Sequence, residues 1–345
     1  MRVLIVGAGI GGMTLAALLE RLPIRPTLIE RAPNLAHAGY MLGLWSLGYR
    51  VLHGLSLYER FAAGAIPGNH YEVRDDRGRL VQRWSMQSIA ARFGPNLSCS
   101  RPQLVELLRD ALDATDLRFG TELESLVPDG EAIEARFSDG SRDRFDLVVG
   151  ADGLHSRVRA LVFGEQPGFD TGWGGWVWWS DRASVPEETF VEHWGAGRFV
   201  GAYPTREGAG IFAGAPLAGG FEAPGPGRRR RLIERFQGMG RRVDAWLGAV
   251  PDDDAALFFW RLTDVRAADW TRGRVALLGD AAAASLPTAG IGASMAMESA
   301  AVLADELSRC DARSIRTRCL STSRADAAGS SASRTRPAGS LDSCS

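Results

Sequence analysis

The chain has 345 residues, 45% of them hydrophobic and 23% charged, which is enough for two domains with separate cores. Lys+Arg 40 against Asp+Glu 41 gives a formal net charge of -1, so long-range attraction to a nucleic acid or an anionic membrane is excluded as the source of partner binding. The basic side is arginine throughout, with no lysine, and this removes Schiff-base and lysine-acid chemistry.

No apolar run reaches the roughly 18 residues of a membrane span, and glycines break the N-terminus "MRVLIVGAGIGG" too early for a signal peptide. A cytoplasmic location is expected. Cys99, Cys310, Cys319 and Cys344 lack CxxC spacing, which supports neither a zinc site nor a disulfide framework. His37, His53, His70, His155 and His193 are scattered and read as surface or capping residues rather than metal ligands.

The stretch "RVLIVGAGIGGMTLAALLERL" reads as a strand over Val3 to Val6, a glycine turn, and a helix with apolar Met13, Leu15, Leu18, Leu19 and Leu22. Gly7, Gly9 and Gly12 form G-x-G-x-x-G: a tight turn, an open approach for a pyrophosphate, and close helix–strand packing. The helix N-terminus supplies open N–H groups and the positive end of the dipole. "PTLIERA" adds a second strand ending in Glu30, 18 residues after Gly12, where an acid accepts hydrogen bonds from an adenosine ribose and disfavours a 2′-phosphate. Dinucleotide binding is expected, with NAD and FAD both open at this point.

"YEVRDDRGRLVQRW" (71–84) alternates about an Asp-Arg-Gly turn and reads as an inserted hairpin. "DRFDLVVGADGLHSRVRALVFG" (143–164) repeats the strand-to-acid plan, with Leu147 to Val149 running into Gly150, Asp152 and Gly153 before a helix carrying Arg157 and Arg159. Residues 171–264 hold further strands in "WGGWVWWSDRA", "ETFVEHW", "RFVGAYPT" and "GAGIFAGAP". Aromatic density marks this part: Trp173, Trp176, Trp178, Trp179, Trp194, Phe199, Tyr203 and Phe212. Strand alternation puts Trp176 and Trp178 on one side, and large rigid rings suit either a sheet core or a flat aromatic ligand. The candidate substrate-binding residues are Trp176, Trp178, Trp194 and Tyr203. "RRRR" at 228–231 reads as a solvated helix start.

A third strand, Val275 to Leu278, delivers Gly279 and Asp280, followed by "AAAASLPTAGIGASMAMESA". The small residues suit a docking surface or tight helix packing, and composition alone leaves both open. After the amphipathic "AMESAAVLADELSR", apolar periodicity vanishes and Ser, Arg, Thr and Cys rise, so residues 309–345 are expected to be disordered. The break, in a lysine-free and arginine-rich chain, motivates the hypothesis of a frameshift near residues 310–316 of a GC-rich gene, which translation of the other frames tests.

Three strand ends, carrying the Gly7-Gly9-Gly12 turn, Asp152-Gly153 and Gly279-Asp280, resemble the class A flavoprotein monooxygenases, the aromatic hydroxylases related to para-hydroxybenzoate hydroxylase, over roughly residues 1 to 308. The resemblance implies an α/β fold with a Rossmann-like FAD-binding domain (1–70, 98–170 and 265–308) and an inserted antiparallel substrate sheet (71–97 and 171–264). It matches Asp152-Gly153 to the "DG" motif tied to FAD and NAD(P)H, Gly279-Asp280 to the "GD" motif whose acid holds the ribityl chain, and Arg101, leading "RPQLVELLRDAL", to the phosphate–ribityl region. The implied cofactor-binding set is Gly7, Gly9, Gly11, Gly12, Glu30, Arg31, Arg101, Asp152, Gly153, Gly279, Asp280, Pro287, Gly290 and Gly292. It further implies hydroxylation of a flat aromatic or polycyclic small molecule with NAD(P)H and O2 through a flavin C4a-hydroperoxide, with no catalytic acid or base assigned. Ala283 stands where the family often has histidine. A non-catalytic flavin-binding remnant is the alternative; a flavin-dependent halogenase, whose resemblance calls for a lysine, is the weaker one.

Overall fold

In the computed structural model the chain is described over residues 1–35, 39–129, 131–217, 225, 227–253 and 256–309. The expectation of disorder over 309–345 and the hypothesised frameshift lie, from Cys310 onward, outside the described residues.

Strands Val3–Val6, Thr27–Glu30, Asp116–Phe119, Leu147–Gly150 and Val275–Leu277, with the short Thr271–Arg272 at one edge, form a six-stranded sheet. Val3–Val6, the Leu147–Gly150 strand and Val275–Leu277 are buried at every position and carry apolar residues almost without interruption. That pattern belongs to a parallel sheet covered on both faces. The strands are parallel except at the Thr271–Arg272 edge. Helices Ile10–Glu20, Ser46–Gly54, Arg101–Arg109 and Gly292–Ser308 pack one face, with Met13, Leu15, Leu52, Leu104, Met297 and Leu303 in the core. Ser100 caps the Arg101–Arg109 helix by accepting from the Gln103 N–H.

Between Asp116–Phe119 and Leu147–Gly150 the crossover is a three-stranded meander, Leu123–Asp129, Ala132–Phe137 and Arg142–Phe145, which covers the other face with Leu123, Phe137 and Phe145. Sequence reading left this segment unassigned because its strands are amphipathic and polar on one side.

The hairpin His70–Asp75 and Leu80–Ser85 joins Thr189–Gly195, Arg198–Pro204, Ala209–Pro216, Phe169–Ser180 and Phe258–Arg266 in an eight-stranded sheet. Its strands are antiparallel except where His70–Asp75 runs parallel to Thr189–Gly195. Its outermost strand, Ala283–Ala284, comes from the Gly-Asp segment and pairs with Val265 and Arg266, so the two sheets are joined through that loop. Ala283 therefore sits in a ladder, packed against the core beneath the first sheet.

One face of this sheet is closed by helices Arg228–Phe236 and Arg241–Gly248. Trp176 and Trp178 point to that face, each 1% exposed, packed with Phe236 and Trp246, and the Trp178 indole N–H donates to the Trp246 carbonyl at 2.9 Å. The expectation that these two residues line a substrate site is thereby corrected. They form the core between sheet and helices. The solvated reading of the arginine run is corrected as well for Arg228, which is buried with its guanidinium over the Phe259 ring.

Candidate functional site

The three motif-bearing strands lie side by side and end in register: Val6 pairs with Gly150, and Gly150 with Leu277. The chain then crosses from strand to strand at one edge, where the Gly7 N–H donates to Ile29 O, the Ala151 N–H to Val6 O, and the Leu278 N–H to Gly150 O, each at 2.8 Å. Segments separated by more than a hundred residues in sequence thus open onto one place, the carboxyl ends of a parallel sheet, where ligands of such folds bind.

The glycines at this edge divide by what surrounds them. Gly7 adopts φ +105, and a Cβ there would stand 2.6 Å from Ala151 O; at Gly12 it would stand 2.0 Å from Gly7 O. Both are needed for the turn itself. Gly9, by contrast, has nothing within 4 Å of its Cβ position, and neither do Gly290 and Gly292. Gly9 is the N-cap of the Ile10–Glu20 helix, and neither that helix nor Gly292–Ser308 has a side-chain cap. Two helix N-termini therefore present open N–H groups. Gly11 and Gly279 have another use: their Cβ positions approach Ala296 at 3.5 and 3.2 Å, so small residues let the two helices and the Leu278–Gly279 turn close up. Ala281, Ala282 and Ala284 are likewise buried. The alanines serve packing, and the glycines beyond Pro287 leave open space.

Glu30 accepts from the Ala8 N–H and the Ala32 N–H, both at 2.9 Å, which fixes its carboxylate beside the glycine turn with further lone pairs free. Arg31 is exposed next to it. Asp152 is more committed: it accepts from the Ser156 hydroxyl at 2.6 Å and the Val158 N–H at 3.0 Å, starting the Arg157–Phe163 helix, with Gly153 at φ +77. Asp280 is solvent-accessible, yet surrounding protein raises its pKa by desolvation.

Tyr40 connects this acid to Arg101. Its carbonyl accepts from the Arg101 N–H at 2.7 Å, the Arg101 guanidinium stands 5.8 Å from the ring centroid, and its hydroxyl pKa, raised by burial, responds to both Arg101 and Asp280. On the other flank the Trp45 indole N–H donates to Gly290 O at 3.1 Å, and the Trp45 backbone N–H donates to Ser294 Oγ at 2.9 Å. Sequence reading missed Tyr40 and Trp45, which follow no glycine or acid motif.

The second sheet turns its open face to this region. Val177, Phe199, Phe212 and Leu262 cluster with Tyr40, Met41 and Leu286, together with Trp173, Tyr203, Phe258 and Trp260. Gly210 is required here, because a Cβ would meet Met41 at 2.6 Å, and the Trp179 indole N–H donates to Gly39 O at 2.8 Å. Of the candidate substrate residues, Trp194 and Tyr203 lie on this face. Phe258 and Trp260 were missed, and strand parity relative to Trp176 and Trp178 is the signal that could have found them.

Among the described residues no group of three His, Cys, Asp or Glu gathers to hold a metal ion, and no helix is long and apolar enough to cross a membrane.

The family described as FAD binding domain matches residues 1–235 and 241–322. Aurachin C monooxygenase/isomerase of Stigmatella aurantiaca is 31% identical over 314 residues, spanning 89% of this chain and 81% of the relative. The 3-amino-4-hydroxybenzoate 2-monooxygenase of Streptomyces cremeus is also 31% identical, over 88% of this chain and 77% of its own. Among solved structures, Klebsiella pneumoniae HpxO complexed with FAD and uric acid has a TM-score of 0.82 at 25% identity, covering 94% of this chain and 87% of that one.

Proposed function

Because the chain belongs to the FAD-binding family and is an FAD-dependent monooxygenase, we propose that it uses NAD(P)H and O2 to hydroxylate a flat aromatic or polycyclic small molecule. The observation that carries this reading is the register of three strand ends, which gathers the Gly7–Gly12 turn, Glu30, Asp152 and the Gly279–Asp280 turn at one edge.

The residues present fit the cofactor. Open space at Gly9 on an uncapped helix start suits a pyrophosphate, and the fixed carboxylate of Glu30 suits ribose hydroxyls. Asp280 would hold the ribityl alcohols, with Tyr40 near enough to respond to both it and Arg101. The open space at Gly290 and Gly292 would take the flat ring, and the uncapped N-terminus of the Gly292–Ser308 helix would stabilise negative charge on it. Bound FAD supplies hydride acceptance, oxygen activation and oxygen transfer. The protein's part is to hold and to exclude: Tyr40, Met41 and Leu286 close against Phe199, Phe212 and Leu262, an apolar aromatic wall that orients a flat ring and keeps water from the reacting edge. Supply of NAD(P)H implies a cytoplasmic location.

The test begins with the absorbance spectrum of the purified protein and continues with NAD(P)H consumption stimulated by phenolic and polyketide-like aromatics. Flavin bands, stimulated oxidation and a hydroxylated product are expected. A yellow protein showing neither stimulation nor product would overturn the reading in favour of a flavin-binding remnant.

A further inference from the structure

The open face of the second sheet carries one acid that the reading above does not use. Glu192, 7% exposed, pairs in register with Gly201, and Gly201 with Phe212, so its side chain shares the face of Phe212 and Phe199. One carboxylate oxygen accepts from the Tyr203 hydroxyl at 2.7 Å and the other from the Trp194 indole N–H at 2.9 Å. Tyr71 stands near enough for Glu192 to help raise its hydroxyl pKa, after burial. Gly201 makes the arrangement possible: a Cβ there would stand 2.5 Å from the Tyr203 hydroxyl, so the ring lies across the glycine to reach Glu192. Tyr203 in turn pairs with Gly210, whose Cβ position abuts Met41, which brings the network to the wall of the proposed substrate site.

Both donors are neutral. Both tyrosine hydroxyls have raised pKa values, first through burial and then through Glu192 itself, and remain phenols. The contrast with Glu72, on the opposite face, is direct: that acid has Arg74, Arg83 and Arg242 within ion-pair distance. Among the described residues Glu192 has no such partner. Held by neutral donors alone, the carboxylate keeps acceptor capacity, since its roughly four lone-pair positions are not all taken. On a face that reaches the proposed substrate site, this acceptor suits a ligand that brings a positively charged donor.

We propose that Glu192 is a specificity-determining residue that selects aromatic substrates bearing a protonated amine, with Tyr203 and Trp194 holding its carboxylate in place. The proposal rests on the monooxygenase reading for the location of the substrate but not for its chemistry.

Three phenols that differ in side-chain charge provide the test: tyramine, 4-ethylphenol and 4-hydroxyphenylacetate. Binding to the FAD-loaded protein is read from perturbation of the flavin absorbance and independently from tryptophan fluorescence, which Trp194 places at the site. Tyramine is expected to bind about 10- to 100-fold more tightly than 4-ethylphenol, the span of a hydrogen bond to a charged group, and the anion most weakly. Glu192→Gln should bring tyramine to the level of 4-ethylphenol. Equal affinities, tightest binding of the anion, no measurable binding of tyramine, or a preference that survives in Glu192→Gln would each overturn the proposal. The ordering in the unaltered protein decides the matter should the variant fail to fold. Charge-selective binding without any product would refute hydroxylation while leaving this inference standing, so the two failures are distinguishable.

Discussion

The Arg159 guanidinium joins two turns that lie far apart in sequence: it donates to Ala281 O at 2.8 Å and to Leu154 O at 2.6 Å, from a side chain that is buried. It thereby locks the Asp152-Gly153 turn to the Gly279-Asp280 turn. Arg159→Met keeps most of the apolar stem but leaves two carbonyls without this donor. The expected loss of stability is about 2 to 3 kcal/mol, the scale of buried hydrogen bonds to a charged group. FAD affinity should fall with it, because Asp280 follows directly from the unpinned turn. Denaturant unfolding of the apoprotein and flavin titration check the two effects separately.

The glycine turn offers a pair of substitutions with opposite signatures. At Gly12 an alanine Cβ would stand 2.0 Å from Gly7 O, a backbone atom that cannot yield, so Gly12→Ala should fail to give folded protein or lose more than about 3 kcal/mol. At Gly9 the Cβ meets nothing within 4 Å, and the backbone is extended at φ -77, ψ -175. Gly9→Ala should therefore match or exceed the stability of the parent by up to about 1 kcal/mol, through reduced freedom of the unfolded chain. Its flavin affinity should nevertheless drop at least tenfold, since the methyl occupies the approach to the helix start. Equal flavin affinity in Gly9→Ala would remove the pyrophosphate from this turn.

The parallel half of the molecule was legible from sequence because its signals are local. Each buried strand is a short apolar run, and each of Gly7, Gly12 and Gly279 is dictated by a contact within its own turn or with the next motif. The order of strands was not legible, nor was the meander of Leu123–Phe145, whose half-exposed strands carry no long apolar run. The wall of the proposed substrate site was half legible. Alternation correctly placed Trp176 and Trp178 together, but a period of two does not say which face meets the helices. That choice is made by the amphipathic helices at 228–248, whose Phe236 and Trp246 cover the even-numbered tryptophans and leave Val177, and across the ladder Phe212 and Phe258, for the site. Glu192 was invisible because its significance lies in what surrounds it: "ETFVEHW" reads as one more polar-alternating strand until Tyr203 and Trp194 fold onto the acid.

His193 gives the closed face of the sheet a pH dependence. The ring packs edge-on to Trp246 with Nδ1 on Met239 O, and burial, together with Arg74 and Arg242, lowers its pKa from 6.5 to about 4. Glu72 lies beside both arginines and is already paired with them. A histidine that binds its proton more weakly when folded contributes stability in full above pH 6.5. That contribution is lost as the pH falls toward 4, because the unfolded chain takes up the proton first. The change is at most about 3 kcal/mol. Denaturant midpoints at pH 7.5 and 5.0 should differ less in His193→Asn than in the parent protein; an identical difference in both would show that this ring does not set the slope.

Asp280 should show the opposite balance between stability and binding. Desolvation raises its pKa, so the folded chain tolerates the ionised carboxylate less well than the unfolded chain does. The sign follows directly: near pH 7 the charge of Asp280 subtracts from the stability of the apoprotein, and a neutral isostere restores it. Asp280→Asn is therefore expected to raise the melting temperature of the flavin-free protein while weakening FAD binding by about tenfold or more, since an amide cannot accept as strongly from two sugar alcohols. Asp280→Ala should give a similar apoprotein gain with a larger binding loss. A binding residue retained at a cost to the fold leaves this pair of shifts, measured by thermal unfolding of the apoprotein and by flavin titration. A variant that melts lower without flavin and binds it as tightly would instead make Asp280 part of the scaffold.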